Sequence, residues 1–175
     1  YGVVTGALIG EYQIKNTNTI LCAIRELGIT DVEAVKKGFL NVVQLTGLMG
    51  RWQILCNQPL IVCDTGHNVG GWKYLSKQII HQECHQKHIV FGMVDDKDID
   101  SVMELLPKDA IYYWSQATTH RAIPSQVVAQ KGLAHGLVGR VYDSVESAYM
   151  AALAIAVPND FVFIGGSSYI VSDLL

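Results

Sequence analysis

The sequence is short of several things that would have placed it quickly. It has four cysteines but no C-x-x-C pair. Cys22, Cys56, Cys63 and Cys84 are scattered, three of them inside apolar or amphipathic patterns. That argues against a thiolate metal knuckle or a disulfide scaffold, and the thiols read as small reduced hydrophobes. No apolar run approaches the ~20 residues that a membrane helix needs. No basic, apolar, small-residue segment opens the chain as a secretory signal would. Net charge is −3 with both signs interspersed, so there is no electrostatic footprint for nucleic acid. The expectation is a cytoplasmic protein with neither a membrane nor a nucleic-acid partner. The chain begins at Tyr1 in an apolar stretch, which we read as the interior of a longer protein.

Two nucleotide-binding fingerprints are also missing. There is no G-x-G-x-x-G, and although Gly66 and Gly71 are spaced as in a phosphate-binding P-loop, Trp72 stands where its lysine belongs. His81, His85 and His88 form H-x-x-x-H-x-x-H among glutamines at the end of a helical pattern; a solvated helix end accounts for them better than a metal site.

What is present is an ordered alternation. Ile20, Leu21, Ile24 and Leu27 mark a helix over 16–27 that Gly28 ends, and Asp31 caps a second helix to about Gln44. TGLMG, 46–50, reads as a linker. From Arg51 onward, short apolar runs at 52–56, 60–63, 89–94, 110–114 and 161–164 alternate with amphipathic stretches at 68–82, 98–106, 124–134 and 144–156. Strands that are apolar throughout, separated by helices, imply a mostly parallel sheet covered on both faces: an α/β, Rossmann-like, three-layer αβα domain.

In such sheets ligands gather beyond the carboxyl ends of the strands. Here those ends are unusually polar. Asp64-Thr65-Gly66-His67-Asn68 follows one run, and Asp95-Asp96-Lys97-Asp98 follows another. Ser115, His120 and Arg121 follow a third, and Gly165-Gly166-Ser167-Ser168 a fourth. Asp64 could simply cap the next helix, and the Asp95–Asp98 run could be a solvated turn. Two glycines after a buried strand followed by two serines make a sharper signal, because the backbone can approach a ligand closely there.

The succession GEYQIKN (10–16), GRWQ (50–53), DTGHN (64–68), DDKDI (95–99) and GGSSY (165–169) resembles the C-terminal part of folylpolyglutamate synthase/dihydrofolate synthase, a member of the Mur ligase superfamily. The resemblance implies a division into a helical remnant of a central ATPase domain (1–48) and a C-terminal glutamate-ligase domain (49–175). It also implies ATP-dependent ligation of L-glutamate to dihydropteroate or to a reduced folate, through an acyl phosphate and with Mg2+. By resemblance, Asn16 meets the adenine edge, Arg51 the ATP phosphates, and Asp64 the ribose hydroxyls. His67 lies near the reacting phosphate and incoming glutamate, and Ser167 helps hold the amino acid. Arg51, His67 and Ser167 are then the catalytic candidates. Lys97 has no firm role.

The family's usual DGAHNP is altered to Thr65, Gly66 and Val69, and Met49 replaces a proline before Gly-Arg. No P-loop or magnesium-binding carboxylate set occurs in these residues, so the metal ligands are expected upstream and the chain alone is expected to be inactive. A monomer is expected. The alternatives are another Mur-type amino-acid ligase and a non-catalytic nucleotide- or amino-acid-binding module.

Overall fold

The computed structural model describes residues 1–175. Its centre is a six-stranded sheet of β1 (Gln53–Asn57), β2 (Leu60–Asp64), β3 (Lys87–Phe91), β4 (Ala110–Trp114), β5 (Gly139–Val141) and β6 (Phe161–Gly165), in the order β1-β2-β6-β3-β4-β5. All neighbours are parallel except β1, which runs antiparallel to β2. Only Gln58 and Pro59 separate those two strands. Two residues suffice for a hairpin and are far too few for a parallel crossover.

The apolar strands are buried on both sides because their side chains alternate between two cores. Val62, Ile89, Phe91, Tyr112, Trp114, Phe161 and Phe163 face one core. That core is closed by α4 (Val69–Ile80), α5 (Ile99–Met103) and α6 (Ser125–Ala134). Ile61, Cys63, Val90, Tyr113, Val162 and Ile164 face the other, closed by α7 (Val145–Leu153) and α8 (Ser168–Ser172). The first core is the aromatic one. Trp72 on α4 meets Phe91 and Phe163 edge-on, with ring centres at 5.6 and 5.8 Å. Each such side chain taken out of water contributes about 1.5–3 kcal/mol, which makes this face the main anchor of the layers.

Sequence and structure differ locally. The second helix breaks at Asn41 into α2 (Val32–Leu40) and α3 (Val42–Thr46), following α1 (Gln13–Glu26). β3 starts two residues earlier than its most apolar part, at Lys87. The histidines at the end of α4 are not one solvated helix end. His81 is exposed at the helix terminus, whereas His88 is a buried residue of β3. His88 Nε2 lies 3.3 Å from Asp160 and its Nδ1 2.9 Å from the Tyr113 hydroxyl, so burial is compensated on both ring nitrogens. The expected cap at Asp31 is present, and Asn68, Asp98 and Ser167 likewise each accept a backbone N–H from the first turn of their helices.

Residues 1–48 pack loosely. Of their side chains only Gln13 and Val35 are buried, while Ile14, Ile20, Leu27, Leu40 and Leu45 are exposed. A groove of about 700 Å³ runs between α1 and α2, lined by residues such as Ile20, Ile24, Val35 and Phe39. The segment joins the sheet domain through the linker and a few contacts around Tyr12.

Candidate functional site

The parallel register brings the carboxyl ends of the central strands side by side. Asp64 pairs with Gly165, and Phe91 pairs with both Gly165 and Trp114. Gly166 has φ +110, and a Cβ there would run into the Gly92 carbonyl oxygen. Only glycine lets the loop after β6 lie this close to the loop after β3. The polar loops singled out in the sequence therefore converge along one edge.

Asp64 ends β2 with no exposed surface. Its Oδ2 accepts from the Tyr12 hydroxyl and from the Trp52 backbone N–H, both at 2.7 Å, and its Oδ1 accepts from the Gly66 N–H at 2.7 Å. Burial raises its pKa above the ordinary carboxylate value, against the three donors and the charge of Arg51, which pull it down. Trp52 takes up a left-handed backbone conformation, φ 47, with its ring in the aromatic core and its N–H on Asp64. One carboxylate thus fixes α1, the linker and its own loop. The helix cap is Asn68 rather than Asp64: Asn68 Oδ1 accepts from Gly71 N–H at 2.9 Å.

Around Asp64 lies a cleft of about 330 Å³ whose lining includes Asn16, Arg51, Asp64 and His67. Four of the five site residues named from sequence therefore share one cavity. Asn16 is held by its own helix, donating to Gln13 Oε1 at 3.0 Å. His67 is exposed, with Nδ1 3.1 Å from the Thr65 carbonyl oxygen. A carbonyl oxygen only accepts, so Nδ1 carries the proton and Nε2 is the free acceptor of the neutral ring.

His67 also lines a second, smaller cavity of about 170 Å³ with Lys97, Arg121, Ser167 and Tyr169. Ser167 is the fifth named residue; it is buried and its hydroxyl oxygen accepts from the Ile170 N–H at 3.2 Å. Arg51 and Ser167 do not meet in either cavity. Lys97, left without a role by the sequence, is in this second cavity beside Asp96, at 3.1 Å. The isolated pairing of Val94 with Ala122 carries Arg121 to the same place. Arg121 Nη2 lies 2.5 Å from Asp96 and its guanidinium lies over the Tyr169 ring, 5.9 Å from the centre. The Lys97 ammonium foremost, with Arg121, holds the Asp96 carboxyl below its usual range. The second cavity thus has two cations in its lining against the single charge of Asp96, with hydroxyls at hand for a carboxylate or phosphate.

Reading by sequence passed over Tyr12, Lys15 and Tyr74 in the first cavity and gave Arg121 no site role. Of these, Tyr12 and Lys15 lie inside the GEYQIKN motif, and Arg121 sits in a polar strand-end loop. His120 is exposed and lines neither cavity, and the Ser115 hydroxyl donates to the Phe91 carbonyl. No three His, Cys, Asp or Glu side chains come together to hold a metal ion. Asp64, the one carboxylate lining either cavity, already holds three protein donors, so these residues do not form a magnesium site.

Comparison with known proteins agrees with the fold. Residues 50–168 match the family model of the Mur ligase glutamate ligase domain. The dihydrofolate synthase/folylpolyglutamate synthase of Escherichia coli K12 is 30% identical over 162 residues, covering 91% of this chain and 37% of that protein. The enzyme of the same name from Buchnera aphidicola of Schizaphis graminum is 28% identical over 167 residues, 93% of this chain and 39% of its own length. The structure of Escherichia coli FolC in complex with DHPP and ADP superposes with a TM-score of 0.84 at 25% identity, over 99% of this chain and 40% of that one. A bifunctional folylpolyglutamate synthase/dihydrofolate synthase solved with Mn, AMPPNP and L-glutamate matches at 26% identity and TM-score 0.67, over 83% of this chain and 34% of that one. The chain spans about two fifths of the length of these relatives. With the strand-end loops, the sheet order and the family match in agreement, this chain belongs to the Mur ligases, and residues 50–168 are a glutamate ligase domain of that family.

Proposed function

We propose that this chain is the part of a folylpolyglutamate synthase/dihydrofolate synthase that closes over ATP and receives L-glutamate. In this reading residues 1–48 belong to the central ATPase domain and 49–175 form the glutamate-ligase domain. The observation that carries it is the meeting of Asn16, Arg51, Asp64 and His67 in one cleft, with His67 also on the wall of a neighbouring cationic cavity.

The first cavity takes the nucleotide. Asn16 offers an amide to the adenine edge, Asp64 an acceptor to the ribose, and Arg51 a planar fork of donors to the phosphates. ATP supplies the activation of the acceptor carboxylate, of dihydropteroate or a reduced folate, as an acyl phosphate. The second cavity takes the glutamate: Lys97 and Arg121 face its carboxylates, and Ser167 hydrogen-bonds one of them. His67 stands between the two. Its free Nε2 accepts a proton from the glutamate amine, freeing the lone pair that attacks the acyl carbon as phosphate departs. Reactants that are all anionic need this distribution of cations on both sides of the reacting centre. Magnesium is bound outside these residues, and the chain by itself does not ligate glutamate.

The test uses the complete protein. Formation of ADP that requires both L-glutamate and dihydropteroate, lowered about a hundredfold or more by His67→Ala, supports the assignment. An acceptor preference for a UDP-linked peptide would move it to another Mur-type ligase. Ligation near the wild-type rate in His67→Ala would remove the histidine from the chemistry.

A further inference from the structure

We propose that the Tyr12 hydroxyl is a gate on Asp64, a bond that an incoming ribose must displace before the carboxylate can hold it. The inference rests on the assignment of Asp64 to the ribose.

Three observations carry it. The first is burial: Asp64 has no exposed surface although its loop lines the nucleotide cleft. A carboxylate offers roughly four acceptor positions. Three are occupied, two on Oδ2 and one on Oδ1. The fourth is on Oδ1, and like the rest of the residue it has no exposed surface. A ribose hydroxyl cannot reach the carboxylate until something leaves.

The second is which donor can leave. Two of the three are backbone N–H groups, of Trp52 and Gly66, fixed by a buried tryptophan and by a two-residue turn. Tyr12 is the only side-chain donor; it is half-buried and lines the same cleft. A phenolic and an alcoholic hydroxyl offer the carboxylate the same kind of donor. Burial, with the Asp64 charge beside it, holds the Tyr12 pKa well above its ordinary value, so its proton stays in the bond.

The third is where Tyr12 comes from. It stands at the start of α1, whereas Asp64 belongs to the sheet domain. Besides this bond, the start of α1 reaches the sheet domain through the Tyr12 side chain packed on the first core, the preceding Glu11 N–H on Gln78 Oε1 at 3.1 Å, and Lys15 over the Tyr74 ring at 5.1 Å. Opening the gate therefore loosens α1 from β2 as the nucleotide enters, which couples nucleotide occupancy to the placement of the first segment on the second.

The experiment is calorimetric titration of the complete protein with ADP and with 2′,3′-dideoxy-ADP. Tyr12→Phe and Tyr12→Leu both lack the hydroxyl and are expected to bind ADP about fivefold more tightly than wild type, the worth of one hydrogen bond no longer displaced. Neither variant gains affinity for the dideoxy nucleotide, which has no hydroxyl to claim the vacated position. Asp64→Asn, checked for folding by thermal unfolding, weakens ADP binding. If Asp64→Asn weakens ADP binding while both Tyr12 variants bind ADP equally or more weakly than wild type, the gate is wrong and the ribose assignment stands. If Asp64→Asn binds ADP as wild type does, the ribose assignment falls and the gate with it.

Discussion

Replacing Asp64 by asparagine keeps size and shape and removes only the charge and one acceptor, so its cost can be worked from the three bonds. Oδ2 serves Tyr12 and Trp52, and Oδ1 serves Gly66. An amide has one oxygen. With the oxygen in the Oδ2 position, the NH2 group meets the Gly66 N–H, donor against donor; turned round, it meets the Trp52 N–H and the tyrosine hydroxyl. The better arrangement still loses one charge-assisted bond, worth about 1.5–3 kcal/mol. Because burial outweighs the donors in setting the Asp64 pKa, relief of the buried charge cancels much of this at pH 7, and the expected loss there is about 1 kcal/mol. For a chain of this size that corresponds to a fall in Tm of about 2–4 °C. The pH dependence gives a second check. The folded pKa of Asp64 lies above its unfolded value. Wild type therefore gains stability from this group as pH falls from neutrality toward the ordinary carboxylate range. The asparagine variant has no such gain, and the difference between the two Tm values widens as the solution is acidified. Thermal unfolding followed by circular dichroism at pH 7 and pH 5 measures both. An unchanged Tm with a constant difference would show that Asp64 does not tie the three segments together.

Two further outcomes follow from other parts of the fold. Asp160 is buried, and the Val157 N–H with His88 and His85 outweighs the cost of that burial and lowers its pKa. Its contribution is present above the unfolded carboxylate pKa and is lost as pH falls below it, so Asp160→Asn should flatten acid unfolding below about pH 4; an unaltered acid limb in urea titrations would contradict this. Gly66→Ala restores the residue usual in the family's motif, yet its methyl would overlap Cδ1 of the fully buried Leu75. Overpacking should cost about 1–3 kcal/mol, and Gly66→Ala with Leu75→Val should recover most of it; additive losses in the double variant would refute the steric explanation.

How far the sequence disclosed this molecule depended on burial. β2, β4 and β6 were legible because both faces of each strand pack against helices, which leaves unbroken apolar runs. β5 was not, because Gly139, Arg140 and Val141 form a short exposed edge with no apolar signature. The reversal of β1 was written in the two residues between it and β2, a length that permits only a hairpin. His88 misled because its spacing from His81 and His85 mimics a helix face, whereas its burial depends on Asp160 and Tyr113, 72 and 25 positions away. The site was legible through its strand-end loops, since the polar residues there break the apolar runs abruptly. Tyr12 escaped notice because its partner lies 52 positions along the chain. Arg121 escaped because its place beside Asp96 and Tyr169 is set by the β-bridge at Val94, a purely tertiary contact.

The most direct test of the central claim is ADP formation by the complete protein, with dihydropteroate or a reduced folate and L-glutamate supplied together or singly. The account predicts turnover only with both substrates present, and its collapse when Arg51 is changed to alanine while the protein stays folded. ADP formation that is indifferent to glutamate, or undiminished in Arg51→Ala, would contradict it.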